Sequence, residues 1–160
     1  MKTIIMTLAI LVSTFVKSQS FEINGARDTI NMIDANAKKQ GKWIIKGRNK
    51  PGTCYATQQT IEEGMYKDNK RVGIWMEYYC NSNKKSKMNY VNGRPTGEVI
   101  FYYENGRVRE EGTWTNNRWV GKYVYVNETG DITEFVFDDK GKEVSKKITP
   151  AKKAVPSTKK

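Results

Sequence analysis

The sequence predicts an all-β protein: an elongated, twisted antiparallel β-meander of repeated 24-residue hairpins, followed by a disordered C-terminal tail. Two observations carry this prediction. Gly73, Gly97 and Gly121 each open an apolar and aromatic run, and they recur every 24 residues. Turn segments rich in Asn and Gly separate these runs at the same spacing. β-Branched and aromatic runs bounded by such residues are typical of hairpin strands.

Further columns keep the same phase. An aromatic residue precedes each glycine, and a basic residue recurs between the aromatic residue and the glycine at Lys70, Arg94 and Arg118. Asn36 to Trp43 matches part of the unit, which adds Gly41 as an earlier anchor. The predicted structural residues of the repeat are therefore Gly41, Gly73, Gly97, Gly121, Tyr66, Tyr90 and Trp114.

Each unit is predicted to be one hairpin that is unstable alone and is held by its neighbours. The outgoing strands are Ile74–Tyr79, Glu98–Tyr103 and Lys122–Val126, and the return strands are Lys84–Tyr90, Arg107–Trp114 and Ile132–Phe137. The segment Asn92-Gly93-Arg94-Pro95 is an example of the turn to the next unit. The first unit is longer than the others by eight residues, which we place in Lys46–Thr60.

The chain ends are predicted to differ from the array. Residues 1–20 resemble a signal peptide, with Lys2, an apolar run from Ile4 to Val16 and cleavage after Ser20. The formal net charge is +11, and the segment after Val144 contributes six lysines without an acid. The predicted organisation is a signal peptide (1–20), a lead-in segment (21–35), the repeat array (36–144) and a Lys-rich disordered tail (145–160). We expect an exported chain that is periplasmic, secreted or at the cell surface.

Cys54 and Cys80 are the only cysteines. Export favours an oxidising compartment, so we predict that they form a disulfide bond between the expanded first unit and the first regular hairpin. The alternative is a pair of free thiols that do not meet.

Strand alternation places Trp75, Val99 and Tyr123 on one face and Met76, Ile100 and Val124 on the other. One face is expected to form the core, and the other to be partly covered by the N-terminal segment or left for a partner. Gly64 and Gly112 lie inside return strands, where we expect either an adjacent aromatic ring over the gap or a bulge. The candidate binding residues are Trp75, Tyr78, Tyr79, Tyr102, Tyr103, Tyr123 and Tyr125.

Tyr90–Gly106 resembles the MORN repeat, and more closely the bacterial MORN-variant repeat of exported proteins. The resemblance extends over roughly Asn36 to Gly141, although Asn69 and Asn117 replace the turn glycine in two copies. It implies an elongated sheet of hairpins and association with protein scaffolding or, in some cases, membrane lipid. The variant repeat also occurs in proteins labelled antitoxins, a role that fits an exported chain poorly.

The sequence gives no sign of an enzyme. The absence of histidine excludes Ser-His-Asp and Cys-His centres, and there is no phosphate-binding glycine loop. The pairs Glu62-Glu63 and Glu110-Glu111 recur at equivalent repeat positions, but adjacent strand residues point to opposite faces, so we interpret them as structural. No metal or cofactor is predicted.

The expected function is therefore binding, in one of two modes. The first is a protein-interaction scaffold in the cell envelope, favoured by a strand pattern that is apolar on both faces. The second is a binder of a glycan or an anionic envelope or membrane surface, through the aromatic face and the basic tail. No nucleic-acid partner is expected, because the charge lies mostly in the tail.

Overall fold

The computed structural model describes residues 18–151, which form one open antiparallel sheet of 11 strands in sequence order. This arrangement is the predicted meander. The strands are β1 (Ser20–Ile23), β2 (Thr29–Ile33), β3 (Lys39–Lys46), β4 (Thr60–Lys67), β5 (Lys70–Tyr78), β6 (Lys84–Val91), β7 (Arg94–Tyr102), β8 (Val108–Thr115), β9 (Arg118–Val126), β10 (Ile132–Phe137) and β11 (Glu143–Thr149). A short 3₁₀ turn, Gly47–Asn49, follows β3. Nearly all of the predicted signal peptide lies outside the described residues.

The anchor glycines have the same backbone conformation, which explains why glycine recurs at these positions. Gly41, Gly73, Gly97 and Gly121 all have positive φ, between 65° and 82°. L-residues with a side chain rarely adopt this conformation. Each anchor glycine pairs with an aromatic residue of the following strand, and the four partners are Tyr66, Tyr90, Trp114 and Phe137. The glycine and aromatic columns therefore share one structural basis, and Phe137 extends the aromatic column.

The turns that link the units are shorter than predicted. Both central residues have positive φ in Asp68–Asn69, Asn92–Gly93 and Asn116–Asn117, as a type I′ turn requires. Asn tolerates this conformation, so copies without the turn glycine form the same turn. Arg94 and Pro95, which we placed in a turn, are the first residues of β7. Two turn residues are sufficient, and the strands therefore begin before their anchor glycines.

At Gly64 the sheet has both an aromatic ring over the gap and a bulge, the two arrangements that were expected as alternatives. A Cβ atom at this position would overlap the ring of Trp75, and the β4–β5 register shifts between Glu63 and Met65. At Gly112 a Cβ would crowd the rings of Trp119 and Tyr123. The bulge brings the outgoing strand close, and the missing side chain leaves room for the ring.

The two faces of the sheet differ in composition. The first, here called the aromatic face, includes Trp43, Trp75, Met88, Val99, Tyr123 and Phe135 in neighbouring strands. Trp75 and Val99 are only 2% and 3% exposed, so the core lies on this face. The second, here called the mixed face, carries one continuous cross-strand row: Ile44, Glu63, Met76, Lys87, Ile100, Glu111, Val124, Glu134 and Lys147.

The N-terminal lead-in is itself a hairpin of the sheet. β2 pairs with β3 only at Met32–Gln40 and Ile33–Lys39. Beyond these pairs, the side-chain amide of Asn31 takes the place of the backbone hydrogen bonds between the two strands. It donates to the carbonyl of Ile44 at 3.1 Å and accepts from the N–H of Ile44 at 2.8 Å. The sheet therefore begins earlier than the repeat.

The predicted start of the disordered tail is wrong. Ser145–Thr149, assigned to the tail, belong to β11 and pair with β10 from Ile132 to Val136. Their lysine content predicts disorder. Val144, Ile148 and Thr149 are, however, β-branched residues, which favour a strand, and β10 offers a side with which this strand pairs. Residues 152–160 of the predicted tail lie outside the described part of the chain.

Replacing an anchor glycine tests the role of its conformation. Gly73→Ala is expected to destabilise the protein by ~1–2 kcal/mol, because the methyl group penalises a left-handed backbone. An added Cβ at Gly73 meets no atom within 4 Å, so packing does not contribute. The measurement is urea unfolding. Gly25→Ala is the matched control, since Gly25 is equally open and lacks positive φ. Equal losses in the two variants would contradict this explanation.

Candidate functional site

The predicted binding residues divide between structural and surface positions. Trp75 is buried, its indole N–H donates to the carbonyl of Met65 at 3.1 Å, and the Arg71 guanidinium lies 4.1 Å from its ring centroid. Trp75 therefore offers no open ring face, and its choice as a candidate binding residue is wrong. The other six residues are half-buried: Tyr78, Tyr79, Tyr102, Tyr103, Tyr123 and Tyr125.

Two of these tyrosines belong to a ladder that joins successive units. Tyr79 donates to the carbonyl of Tyr102 at 2.8 Å, and Tyr103 donates to that of Val126 at 2.8 Å. Tyr55, in the expanded loop, donates to the carbonyl of Tyr78 at 2.9 Å. The three donors are 24 residues apart. Sequence reasoning missed Tyr55, although this spacing could have identified it.

Removing one ladder hydroxyl tests its contribution. Tyr103→Phe is expected to lower the free energy of unfolding by about 1 kcal/mol, because one inter-unit hydrogen bond is lost while the ring remains. Urea denaturation measures the change. Tyr102→Phe is the control, since that tyrosine contributes its carbonyl, not its hydroxyl, to the ladder. A loss in Tyr102→Phe as large as that in Tyr103→Phe would show that the ladder bond has no special weight.

The first of the two recurring carboxylate pairs, Glu62-Glu63, holds partners on opposite faces of the sheet. On the aromatic face, Glu62 contacts the Arg71 guanidinium at 2.6 Å and the Lys50 ammonium at 3.3 Å. On the mixed face, its neighbour Glu63 accepts from the hydroxyl of Tyr78 at 2.6 Å. The side chain of Glu110 is likewise occupied, by Arg109 and the Tyr123 hydroxyl. These contacts match the predicted structural role of the pairs.

The Tyr78 hydroxyl is held in its protonated form. Burial, followed by the hydrogen bond to Glu63, raises the pKa of Tyr78 from 10.0 to about 12. Burial and the Glu110 carboxylate also raise the pKa of Tyr123. Because the folded-state pKa exceeds the ordinary value, the contribution of Tyr78 to stability is complete below pH 10 and is lost as the pH rises toward 12.

Alkaline unfolding should reveal this contribution. Between pH 10 and pH 12, the urea midpoint of the wild-type chain is expected to fall more steeply than that of Tyr78→Phe, which has no phenol to ionise at this position. Tyr102→Phe removes a phenol from the same face and should follow the wild type. Parallel curves for the wild type and Tyr78→Phe would show that this ionisation is not coupled to folding.

The predicted disulfide bond is present. Cys54 and Cys80 are bridged, with 5.8 Å between their Cα atoms. The bridge ties the loop between β3 and β4, which contains the predicted extra residues, to the turn after β5. The Gln59 side-chain amide reinforces this connection by donating to the carbonyls of Tyr79 and Cys80, each at 2.9 Å. The expanded loop is thus fixed to the regular array.

Three open depressions offer binding surfaces. A depression of about 210 Å³ on the mixed face is lined by Lys42, Glu63, Gly64, Met65, Ile74 and Met76. An almost wholly apolar pocket of about 200 Å³ is lined by Met88, Pro95, Val99, Phe101, Trp114, Asn117 and Trp119. A polar groove of about 570 Å³ lies between two turns and is lined by Val91, Arg94, Pro95, Thr96, Asn116 and Asn117. None of these residues was among the predicted binding residues.

Neither a scan of protein-family models nor a search of curated proteins gives a match to this chain. Within residues 18–151, no three Cys, Asp or Glu side chains are grouped so that they could hold a metal ion. The same residues include no helix with the length and apolarity needed to span a membrane.

Proposed function

We propose that this chain is an exported, non-enzymatic scaffold of the cell envelope that binds a partner protein through the mixed face. The exposed aliphatic side chains of that face carry the proposal. Ile74 is 54% exposed, Met65 45% and Val136 41%. Met65 and Ile74 line the same depression, and exposed apolar side chains that lie together favour a protein-interaction surface.

The depression at Met65 has the chemistry of a small interface. Its apolar lining is formed by Met65, Ile74 and Met76, and Lys42 and Glu63 supply charged groups beside it. Protein interfaces commonly combine an apolar centre with a polar rim. Tyr78 and Tyr102 belong to the same face and extend the half-buried aromatic surface beside it. A rigid sheet would present this surface with little loss of conformational entropy.

Two further features support export and a binding role. A disulfide bond is typical of proteins from an oxidising compartment. The resemblance of Tyr90–Gly106 to the MORN-variant repeat favours a scaffold. The carboxylate pairs support a non-enzymatic function, because each pair divides between the two faces and does not converge on one substrate.

The second mode, binding of a glycan or an anionic surface by the aromatic face and basic tail, has less support in the form predicted. Trp75 is buried, and the hydroxyls of Tyr79 and Tyr103 are bonded to backbone carbonyls. The aromatic rings therefore serve mainly to hold the sheet together.

Site-specific photo-crosslinking in the producing cell tests the proposed interface. A photoreactive residue at position 74 is expected to give a discrete protein adduct in the envelope fraction, and Met65→Lys should abolish it. Position 148 is the matched control, because Ile148 is also an aliphatic residue, 60% exposed, but lies on the aromatic side of β11. Equal adducts from both positions, or none from position 74, would contradict the proposal.

A further inference from the structure

A line of basic residues runs across the sheet along the turns at one end of the strands, and this side of the sheet is called its turn edge. The line consists of Lys38, Lys70, Arg94, Arg118 and Lys142, with one residue at the end of each of these turns. The last four are spaced by 24 residues, and the expanded loop separates the first pair by 32. Two strand spacings lie between successive members, so their backbones are ~9.6 Å apart. The repeat thus generates a regular row of positive charge.

The middle of this row is free of acidic residues. The segments 91–97 and 115–121 contain Arg94 and Arg118 but no Asp or Glu. Lys122 follows, and its charge is paired with Glu134 at 2.6 Å. The acidic residues of the turns themselves lie toward the two ends of the row. There Asp68 contacts Lys38 at 3.7 Å, and Asp138 accepts from backbone N–H groups of its own turn. Positive potential is therefore concentrated around the turns at Asn92–Gly93 and Asn116–Asn117.

The basic side chains extend along the edge from one unit toward the next. The stem of Lys70 lies beside Gly93, and that of Arg118 lies beside Gly141. The Arg118 guanidinium donates to the carbonyl of Lys140 at 2.8 Å, which fixes its direction. Arg94 borders the polar groove between the two central turns.

The polar groove adjoins the apolar pocket at the two central turns. Pro95 and Asn117 line both depressions and separate the groove, which borders the mixed face, from the pocket on the aromatic face. A ligand in the groove would meet the Arg94 guanidinium, the amides of Asn116 and Asn117, and the apolar side chains of Val91 and Pro95. This combination suits a ring with polar edges, an apolar face and an attached anionic group, which is the chemistry of an acidic sugar.

We propose that this edge binds a linear acidic polysaccharide whose negative charge recurs about once per disaccharide. The charge spacing selects the ligand class. A strand of double-stranded DNA carries a phosphate every ~3.4 Å, far denser than a row of cations ~9.6 Å apart. A membrane presents charge over a plane, whereas these cations form a single line. The basic row lies at the turns that border the mixed face, but the proposal uses different residues from the depression at Met65 and does not depend on the protein-interaction role.

The test uses the purified full chain and hyaluronan, a linear polymer with one carboxylate in each disaccharide. We expect salt-sensitive binding to immobilised hyaluronan and none to neutral dextran. Lys70→Gln combined with Arg94→Gln is expected to weaken binding about tenfold through the loss of two charge-assisted contacts. Arg27→Gln combined with Lys84→Gln removes the same charge near the opposite edge and should change affinity less than about twofold.

Several results would overturn the proposal. One is equal weakening by both double variants, which would mean that net charge alone drives binding. Another is tighter binding of polyphosphate, or of vesicles containing phosphatidylglycerol, with the same dependence on Lys70 and Arg94. Absence of hyaluronan binding would do the same. Ile74→Gln removes an exposed apolar side chain of the mixed face without changing the charge and should leave hyaluronan binding unchanged, so failure of one role is distinguishable from failure of the other.

Discussion

The left-handed backbone at the anchor glycines is the constraint on which the rest of the sheet depends. At Gly73, Gly97 and Gly121 the outgoing strand bulges against the strand before it, while the same glycine pairs with an aromatic residue of the strand after it. A bulge bends a strand and increases its twist. Repetition at a fixed spacing places each bend at the same register, so the aromatic face acquires one continuous packing surface.

On the aromatic face, packing contacts are made by aromatic rings more than by aliphatic side chains. Trp43, Tyr66, Trp75 and Tyr90 form a chain of edge-to-face contacts, with centroid distances of 5.4, 4.9 and 6.5 Å. A second cluster runs from Trp114 through Trp119 to Tyr123, Phe135 and Phe137. Rings in this geometry stabilise by more than their buried area. A sheet one layer thick gains a core in this way without a second layer above it.

The hairpin array could be predicted because each hairpin is determined by residues that are close together in the sequence. Turn residues, anchor glycines and strand lengths recur in the sequence at one spacing, and the type I′ turns follow from Asn and Gly. The buried face could not be predicted, because Trp75 and Met76 are both apolar and alternation treats the two faces alike. Burial of Trp75 depends on the gap at Gly64, a contact between strands. Tyr55 and β11 were missed for related reasons: a loop of different length hid the first, and lysine content obscured the second.

The two edge strands, β1 and β11, show how an open sheet avoids pairing with other chains. β1 has four residues, and β11 is exposed along its full length, with Lys146 and Lys147 at its centre. Short edge strands and edge lysines are recognised protections against edge-to-edge association. On the mixed face the same principle applies within the sheet, because Glu63, Lys87 and Glu111 separate the aliphatic side chains of the outgoing strands. A second sheet stacked there would bury these charges, whereas a partner with complementary charges could cover the aliphatic residues between them.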